Sequence, residues 1–588
     1  MYPNKYTMPE KHQNFWEELK RRKVVRVITV YAAAAFVIIE LTNNITEPLS
    51  LPEWVPTLVI VMLAIGLLIS IIMSWLYDIT PEGGMVKTSP ASKIKDEDIP
   101  RSSKSWKIAS YISFVVIVGL IILNIIPRSG KKEILDKSIA VLPFRNDSPE
   151  QTEMYFIDGT MESILDNLCK IKNLRVVSRT SVEQYRNNPK PIPTVGQEMN
   201  VSYVVEGSGL RHGDNIRLTI QLIDAVHDQH IWSNTYNRKA EEIFELQSEI
   251  AQLVARELQA AITPEEHLLI GKVPTSNLSA YDLYLLGNQY INMPRNEANL
   301  LKAIELYESA IALDPEFAPP YEGIGKAYRY LVWYAHWIPA EGFEKSREAV
   351  LKALQIDDQL AGAHEELGVI HYEFDWDLKA SEAELTRAIE LNPNRASAYR
   401  DLWDLNVASG RFAVAHPYIL QAVRLDPNNR GYQLELGLSY YFIGKVDSAL
   451  LYLEERGPSR YLAQLYLEIG DNEKSIEVFE KLIKQNPQAT HLQAPLGCAY
   501  YRVGMEEKTR EKLEILDSLE NENTSVSFYR AALLAELGKT DSAMYWLKEA
   551  YEEKCQMLFY YKAYKNPFAS MRSDPRFIEI VSRLPSLE

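Results

Sequence analysis

AIALDP at residues 310–315, AIELNP at 388–393 and AVRLDP at 422–427 are near copies of one hexapeptide, and LIKQNP at 482–487 is a weaker fourth. Pro393 and Pro427 stand 34 residues apart. Between them Tyr399, Leu402, Ala415, Ile419 and Ala422 fall where a helix-turn-helix unit needs apolar or small residues. A fixed period of this length marks a repeat architecture, in which each unit buries its apolar face only against its neighbours.

Outward from these hexapeptides the pattern extends in both directions. One copy carries Leu283, Leu286, Gly287, Tyr290, Ala303, Tyr307, Ala310 and Pro315, with a lengthened turn at 294–299. The next has Tyr321, Gly325, Tyr328, Ala353 and, in place of Pro, Asp358, its turn swollen by YLVWYAHWIPAEGF. Leu367, Gly368, His371, Leu385, Ala388 and Pro393 make a third, and Leu436, Gly437, Tyr440, Ala449 and Leu453 a fifth. Degenerate copies follow through Tyr466, Phe479 and Pro487, then Leu496, Gly497, Tyr500 and Leu513, then Leu534, Gly538, Ala543, Leu547 and Ala550. Gly and Ala let antiparallel helices approach, Tyr and Leu fill the gap, and Pro ends the second helix. The pattern resembles the tetratricopeptide repeat in eight tandem copies. That resemblance implies a concave surface for protein or peptide partners.

At 588 residues the chain exceeds one core. Cys169, Cys498 and Cys555 lie far apart without Cys-x-x-Cys spacing, so neither a zinc site nor a disulfide framework is expected. The net charge is −16; residues 1–137 carry +4 and the remainder −20. An acidic soluble region repels phosphate backbones, so nucleic acid is not an expected partner.

Three apolar runs, 24–41, 57–77 and 106–126, approach the ~20 residues that span ~30 Å of hydrocarbon. Lys20, Arg21, Arg22, Lys23 and Arg26 flank the first, and six Lys or Arg lie between Lys87 and Lys107, whereas 43–56 has none. The positive-inside rule therefore puts the amino end in the cytoplasm and residues from about Arg128 outward, against the local pull of Arg128, Lys131 and Lys132. Glu40 is expected near an interface. NFWEELKRRKVVRVITVY (14–31), LPEW (51–54) and DITPEG (78–83) together resemble a membrane module that precedes repeat regions in many bacterial proteins.

From Ser138 the pattern changes. SIAVLPF (138–144) reads as a buried strand, 153–171 as a helix, and 174–178, 201–210, 216–224 and 230–237 as further strands. His212-Gly213-Asp214-Asn215 suits a hairpin, and 241–262 reads as an amphipathic helix. AVLPF, Asp158-Gly159, Val176-Val177-Ser178-Arg179, YVVEG (203–207), QLIDA (221–225), Ile231-Trp232-Ser233 and Tyr236 together resemble the amino-terminal domain of TolB, which implies a bacterial periplasmic setting. Val226-His227-Asp228 stands where relatives have a glycine turn.

The fold class expected is multi-domain: transmembrane helices, a small α/β domain of TolB amino-terminal type, and an all-α tetratricopeptide-repeat solenoid. Its boundaries are a cytoplasmic segment 1–23, a three-helix membrane unit 24–127, the α/β domain 137–262, the solenoid 280–556 and a carboxyl-terminal helical cap 557–588. The segment 280–588 is expected to fold by itself, because repeats contact mainly their neighbours.

Candidate sites are few. Asp158, Glu162 and Arg179 could converge on a catalytic pocket, but Asp158-Gly159 more simply caps a helix. His227 and His230 read as exposed hairpin residues rather than metal ligands, and no phosphate-loop, zincin or hydrolase motif occurs. No enzyme activity, cofactor or metal is expected. Tyr328, Tyr330, Trp333, Tyr334 and Trp337 form either a partner-binding patch or the filling of a long turn. Two function classes remain: a membrane-anchored scaffold or adaptor for protein or peptide partners, and a membrane sensor whose outer domain binds a ligand and acts through cytoplasmic partners.

Overall fold

The computed structural model describes residues 24–46, 55–79, 85–87, 137–148, 153–335, 337–487, 489–519, 525–564 and 568–587. They fall into two units, Met1–Glu133 and Ile134–Glu588. In the first, helices Val24–Thr46 and Val55–Leu76 pack together, and the Tyr31 hydroxyl donates to the Leu63 carbonyl at 2.9 Å. Among the described residues one helix is long and apolar enough to cross a membrane, with Thr57–Ser74 as its apolar stretch. Arg26 and Glu40 interrupt the first apolar run, and the third, 106–126, lies outside the described residues. Strands β1 (Tyr77–Ile79) and β2 (Met85–Lys87) pair antiparallel just beyond the second helix.

The second unit begins with a mixed sheet: β3 (Ser138–Val141), β4 (Arg145–Asn146), β5 (Arg175–Val176), β6 (Tyr203–His212), β7 (Asn215–Asp224) and β8 (Gln229–Lys239), in the order β5-β3-β6-β7-β8 with β4 on β6. β3 is parallel to both neighbours, whereas β6, β7 and β8 form an antiparallel meander. The continuous apolar run at 138–144 follows from burial on both faces. Ile139 and Val141 enter the core under helices Met154–Cys169 and Ile243–Glu257, while Ala140 and Leu142 enter a second core beneath residues 179–199.

Several boundaries differ from expectation. The helix expected to reach residue 262 stops at Glu257, where Gln259 takes φ +53°. Asp158 and Gly159 lie inside the Met154–Cys169 helix, not at its cap. A Cβ on Gly159 would meet Leu285 side-chain carbons at 2.5 Å, so close packing on the first repeat helix explains the glycine. The 212–215 hairpin has a two-residue loop in which Gly213 takes φ +56°. In the 224–228 turn Asp228 supplies the left-handed residue (φ +54°), and the Asp224 carboxylate accepts from the Val226 and His227 amides at 2.9 and 3.0 Å.

Beyond Asn277 the described residues form eight antiparallel helix pairs, from Leu278–Asn292 with Glu297–Leu313 to Ser525–Glu536 with Thr540–Glu552. Glycine in the first helix lets the second close in: a Cβ at Gly287 would sit 2.4 Å from Tyr307, and one at Gly437 2.4 Å from Leu453.

The repeats also contact the sheet domain. Asn394, which follows Pro393, is buried; its amide donates to the carbonyls of Cys169 (3.0 Å) and Leu174 (2.9 Å), and its oxygen accepts from the Val176 amide (2.9 Å). One repeat later Asp426 accepts from the Thr180 and Ser181 hydroxyls, and the Leu425 carbonyl accepts from the Ser178 amide at 2.9 Å. The edge strand β5 and the residues that follow it are thus held by the turns that close two successive repeats. At the other end of the α/β domain, Arg211 forks onto Asp282 at 2.7 and 2.9 Å, and Tyr281, Leu285 and Phe317 share its core.

The carboxyl-terminal segment caps the array with helix Pro575–Ser582, but Gln556–Lys562 turns back across it. Phe559 packs on Tyr372 and Trp376 of the third repeat (ring centroids 5.8 and 5.0 Å), the Tyr560 hydroxyl donates to Asp404 of the fourth, and Tyr564 meets Phe442 of the fifth.

Candidate functional site

This returning segment partly encloses a cavity of about 170 Å³. Its walls are the first helices of five successive repeats, contributing Arg400, Glu435, Arg460, Arg502 and Glu536 among others, with Met557, Tyr560 and Tyr564 of the segment opposite. Arg400 pairs with Glu435 at 3.0 Å, and Arg502 forks onto Glu536 at 2.7 and 2.9 Å. Glu468 accepts from Tyr441 and Gln464 at 3.2 and 3.0 Å. Arg460 differs. Its guanidinium donates to the Tyr461 hydroxyl at 2.7 Å, with no carboxylate within 4 Å among the described residues. His491 lies beside it, its imidazole pushed down to about 4 by burial and by Arg460, and therefore neutral at pH 7.

The paired charges belong to a longer column. Arg329, Glu366, Arg400, Glu435, Glu468, Arg502 and Glu536 follow one another at 33 to 37 residues, one per repeat. Arg329 and Glu366 are both buried and joined by two hydrogen bonds. Charge recurring at one repeat position was the sequence signal for this site; alignment on apolar residues alone passes over it.

The aromatic cluster is divided. Tyr330 is buried; Tyr328 and Trp337 are partly buried and pack together at 6.0 Å. Trp333 (37% exposed) and Tyr334 (45%) reach solvent. The Trp333 ring nitrogen donates to Glu373 at 2.7 Å, within the π turn His371–Asp375 that ends the next repeat's first helix. Arg295 donates to the Tyr334 hydroxyl at 2.7 Å and lies 4.3 Å from the Tyr330 ring centre. Burial pushes the Glu373 carboxyl up to about 8, against the opposing pull of Arg329 and Trp333.

Asp158, Glu162 and Arg179 do converge, around a cavity of about 230 Å³ at the seam with the first repeat. There Arg186 binds Asp158 at 3.0 Å and Arg179 pairs with Glu162, so each carboxylate already has a guanidinium. His227 is held by Asp224 at 2.8 Å. Among the described residues no group of three His, Cys, Asp or Glu is arranged to hold a metal ion. All three cysteines are buried thiols.

Tetratricopeptide-repeat family models match residues 404–461 and 462–488, within the eight helix pairs. The helical array is a tetratricopeptide-repeat solenoid. A model described as the second domain of HilA/YgeH-like transcriptional regulators matches residues 135–253, the sheet domain. A Rhizobium meliloti (strain 1021) protein named "Putative adenylate cyclase 3" is 33% identical over 181 residues, covering 31% of each chain. The human "Protein O-mannosyl-transferase TMTC3" is 24% identical over 256 residues, 41% of this chain and 26% of its own. This chain thus spans less than a third of either relative. Among solved structures, YrrB, titled a repeat protein with an unusual peptide-binding site, is 21% identical, covering 30% of this chain and 83% of its own with a TM-score of 0.22. Within the solenoid, the charge column and the cavity lie on its first-helix surface.

Proposed function

We propose that this chain is a membrane-anchored scaffold or adaptor whose solenoid binds a protein or peptide partner. The observation that carries this is the exposed pair Trp333 and Tyr334 of the second repeat beside Arg295, outside the cavity between the returning segment and the fourth to eighth repeats. Aromatic and arginine side chains dominate binding energy at protein interfaces. Affinity capture with residues 132–588 from membranes of the source cell, compared between wild type and the Trp333→Ala/Tyr334→Ala double variant, tests it. A partner retained equally by both refutes the assignment of this patch.

The basic residues flanking the uncharged first loop, and the TolB-like motifs of the sheet domain, support an inner-membrane anchor with the soluble part in the periplasm. Reporters fused after Lys132 and after Glu588 distinguish this from a cytoplasmic soluble part. A second reading, a membrane sensor, is favoured by the cavity within the solenoid and by the name of the Rhizobium meliloti relative.

A further inference from the structure

The cavity lined by Arg460 has the size, the walls and the charge imbalance of a small-molecule site. Its volume, about 170 Å³, is close to the roughly 150 Å³ that accommodates one benzene ring in an engineered protein cavity. The other cations on its wall are already neutralised, Arg400 by Glu435 and Arg502 by Glu536. Among the described residues Arg460 is the one lining guanidinium without a carboxylate partner, and its neighbour His491, neutral, adds a ring nitrogen without another fixed charge. Tyr461, Tyr529 and Tyr564 supply flat surfaces around it. A guanidinium fork matches a carboxylate in shape and charge, and such a pair is stronger in a partly enclosed site than in open water.

We infer that this cavity binds a small free arylcarboxylate, its carboxylate on Arg460 and its ring among the tyrosines. The occupant is a free acid and not a threaded peptide because Met557, Tyr560 and Tyr564 of the returning segment form one wall. A ligand there touches both the repeats and that segment, and so ties the chain's end to its fourth to eighth repeats. This inference is independent of the patch at Trp333: loss of partner capture leaves it intact, and loss of acid binding leaves the scaffold reading intact.

The test is calorimetric titration of the full-length chain with phenylacetate and with phenylacetamide, its uncharged analogue. Phenylacetate is expected to bind with a Kd in the millimolar range or below. Phenylacetamide, and the Arg460→Gln variant titrated with phenylacetate, are each expected to bind more weakly by about tenfold or more. Arg460→Lys keeps the charge but loses the fork, and serves if the Gln variant does not fold; several-fold weakening is expected. Equal affinity of acid and amide, equal affinity of wild type and the Arg460 variants, or no phenylacetate binding overturns the inference. A tripeptide ending in phenylalanine separates the two sources of a carboxylate: tighter binding of its free-acid form than of phenylacetate overturns the free-acid occupant in favour of a peptide terminus.

Discussion

Replacing Asn394 by alanine removes one of the side chains that tie the solenoid to the sheet domain. Asn394 makes three hydrogen bonds of 2.9 to 3.0 Å, to the Val176 amide and to the Cys169 and Leu174 carbonyls. At about 1 kcal/mol net for each bond the loss is about 3 kcal/mol, rising toward about 6 kcal/mol if the groups left behind stay dry. Val176 and Leu174 are essentially inaccessible, which favours the upper part of that range. A local loss of about 3 kcal/mol accelerates amide exchange about 100-fold. Hydrogen-exchange mass spectrometry on residues 134–588 should therefore show residues 174–178 exchanging at least about 100-fold faster, with a lower urea midpoint. Exchange within about threefold of wild type, with an unchanged midpoint, would falsify the claim that this asparagine couples the two parts.

Gly437→Leu should cost about 1 to 3 kcal/mol or more, because even a Cβ would lie 2.4 Å from Leu453; an unchanged thermal midpoint counts against the packing. Glu373 has a folded-state pKa of about 8, above its ordinary 4.5, so its contribution to stability is complete below about pH 4.5 and is lost as pH rises through 8. Glu373→Gln should accordingly stabilise the protein more at pH 9 than at pH 6, and equal denaturation midpoints for variant and wild type at both pH values refute the raised carboxyl. A fragment starting at residue 280 should remain helical by circular dichroism yet melt below residues 134–588, since it loses the cover over Tyr281 and Leu285 and the Arg211 partner of Asp282. Equal melting temperatures would show the sheet domain to be a passive neighbour.

The local units were legible in the amino-acid pattern. The 34-residue spacing, the Gly and Ala positions and the closing prolines identify helix pairs, because each pair buries its apolar face against the next and so writes its period into the chain. The run SIAVLPF likewise announced a strand buried on both sides. Tertiary structure decided how those units meet. Asn394 and Asp426 look like ordinary turn residues, and their grip, on β5 and on Thr180 and Ser181 respectively, depends on a pairing more than 200 residues away in sequence. Asp158-Gly159 read as a cap because the partner that requires the glycine, Leu285, belongs to another domain. The aromatic cluster could not be divided from composition, since Tyr330 and Tyr334 stand one turn apart on the same helix, their rings 5.7 Å apart, and differ only in what the rest of the fold packs over each. The cavity at Arg460 exists only because the segment after the last repeat folds back across five earlier ones, a contact between distant parts of the chain that leaves no period in the sequence.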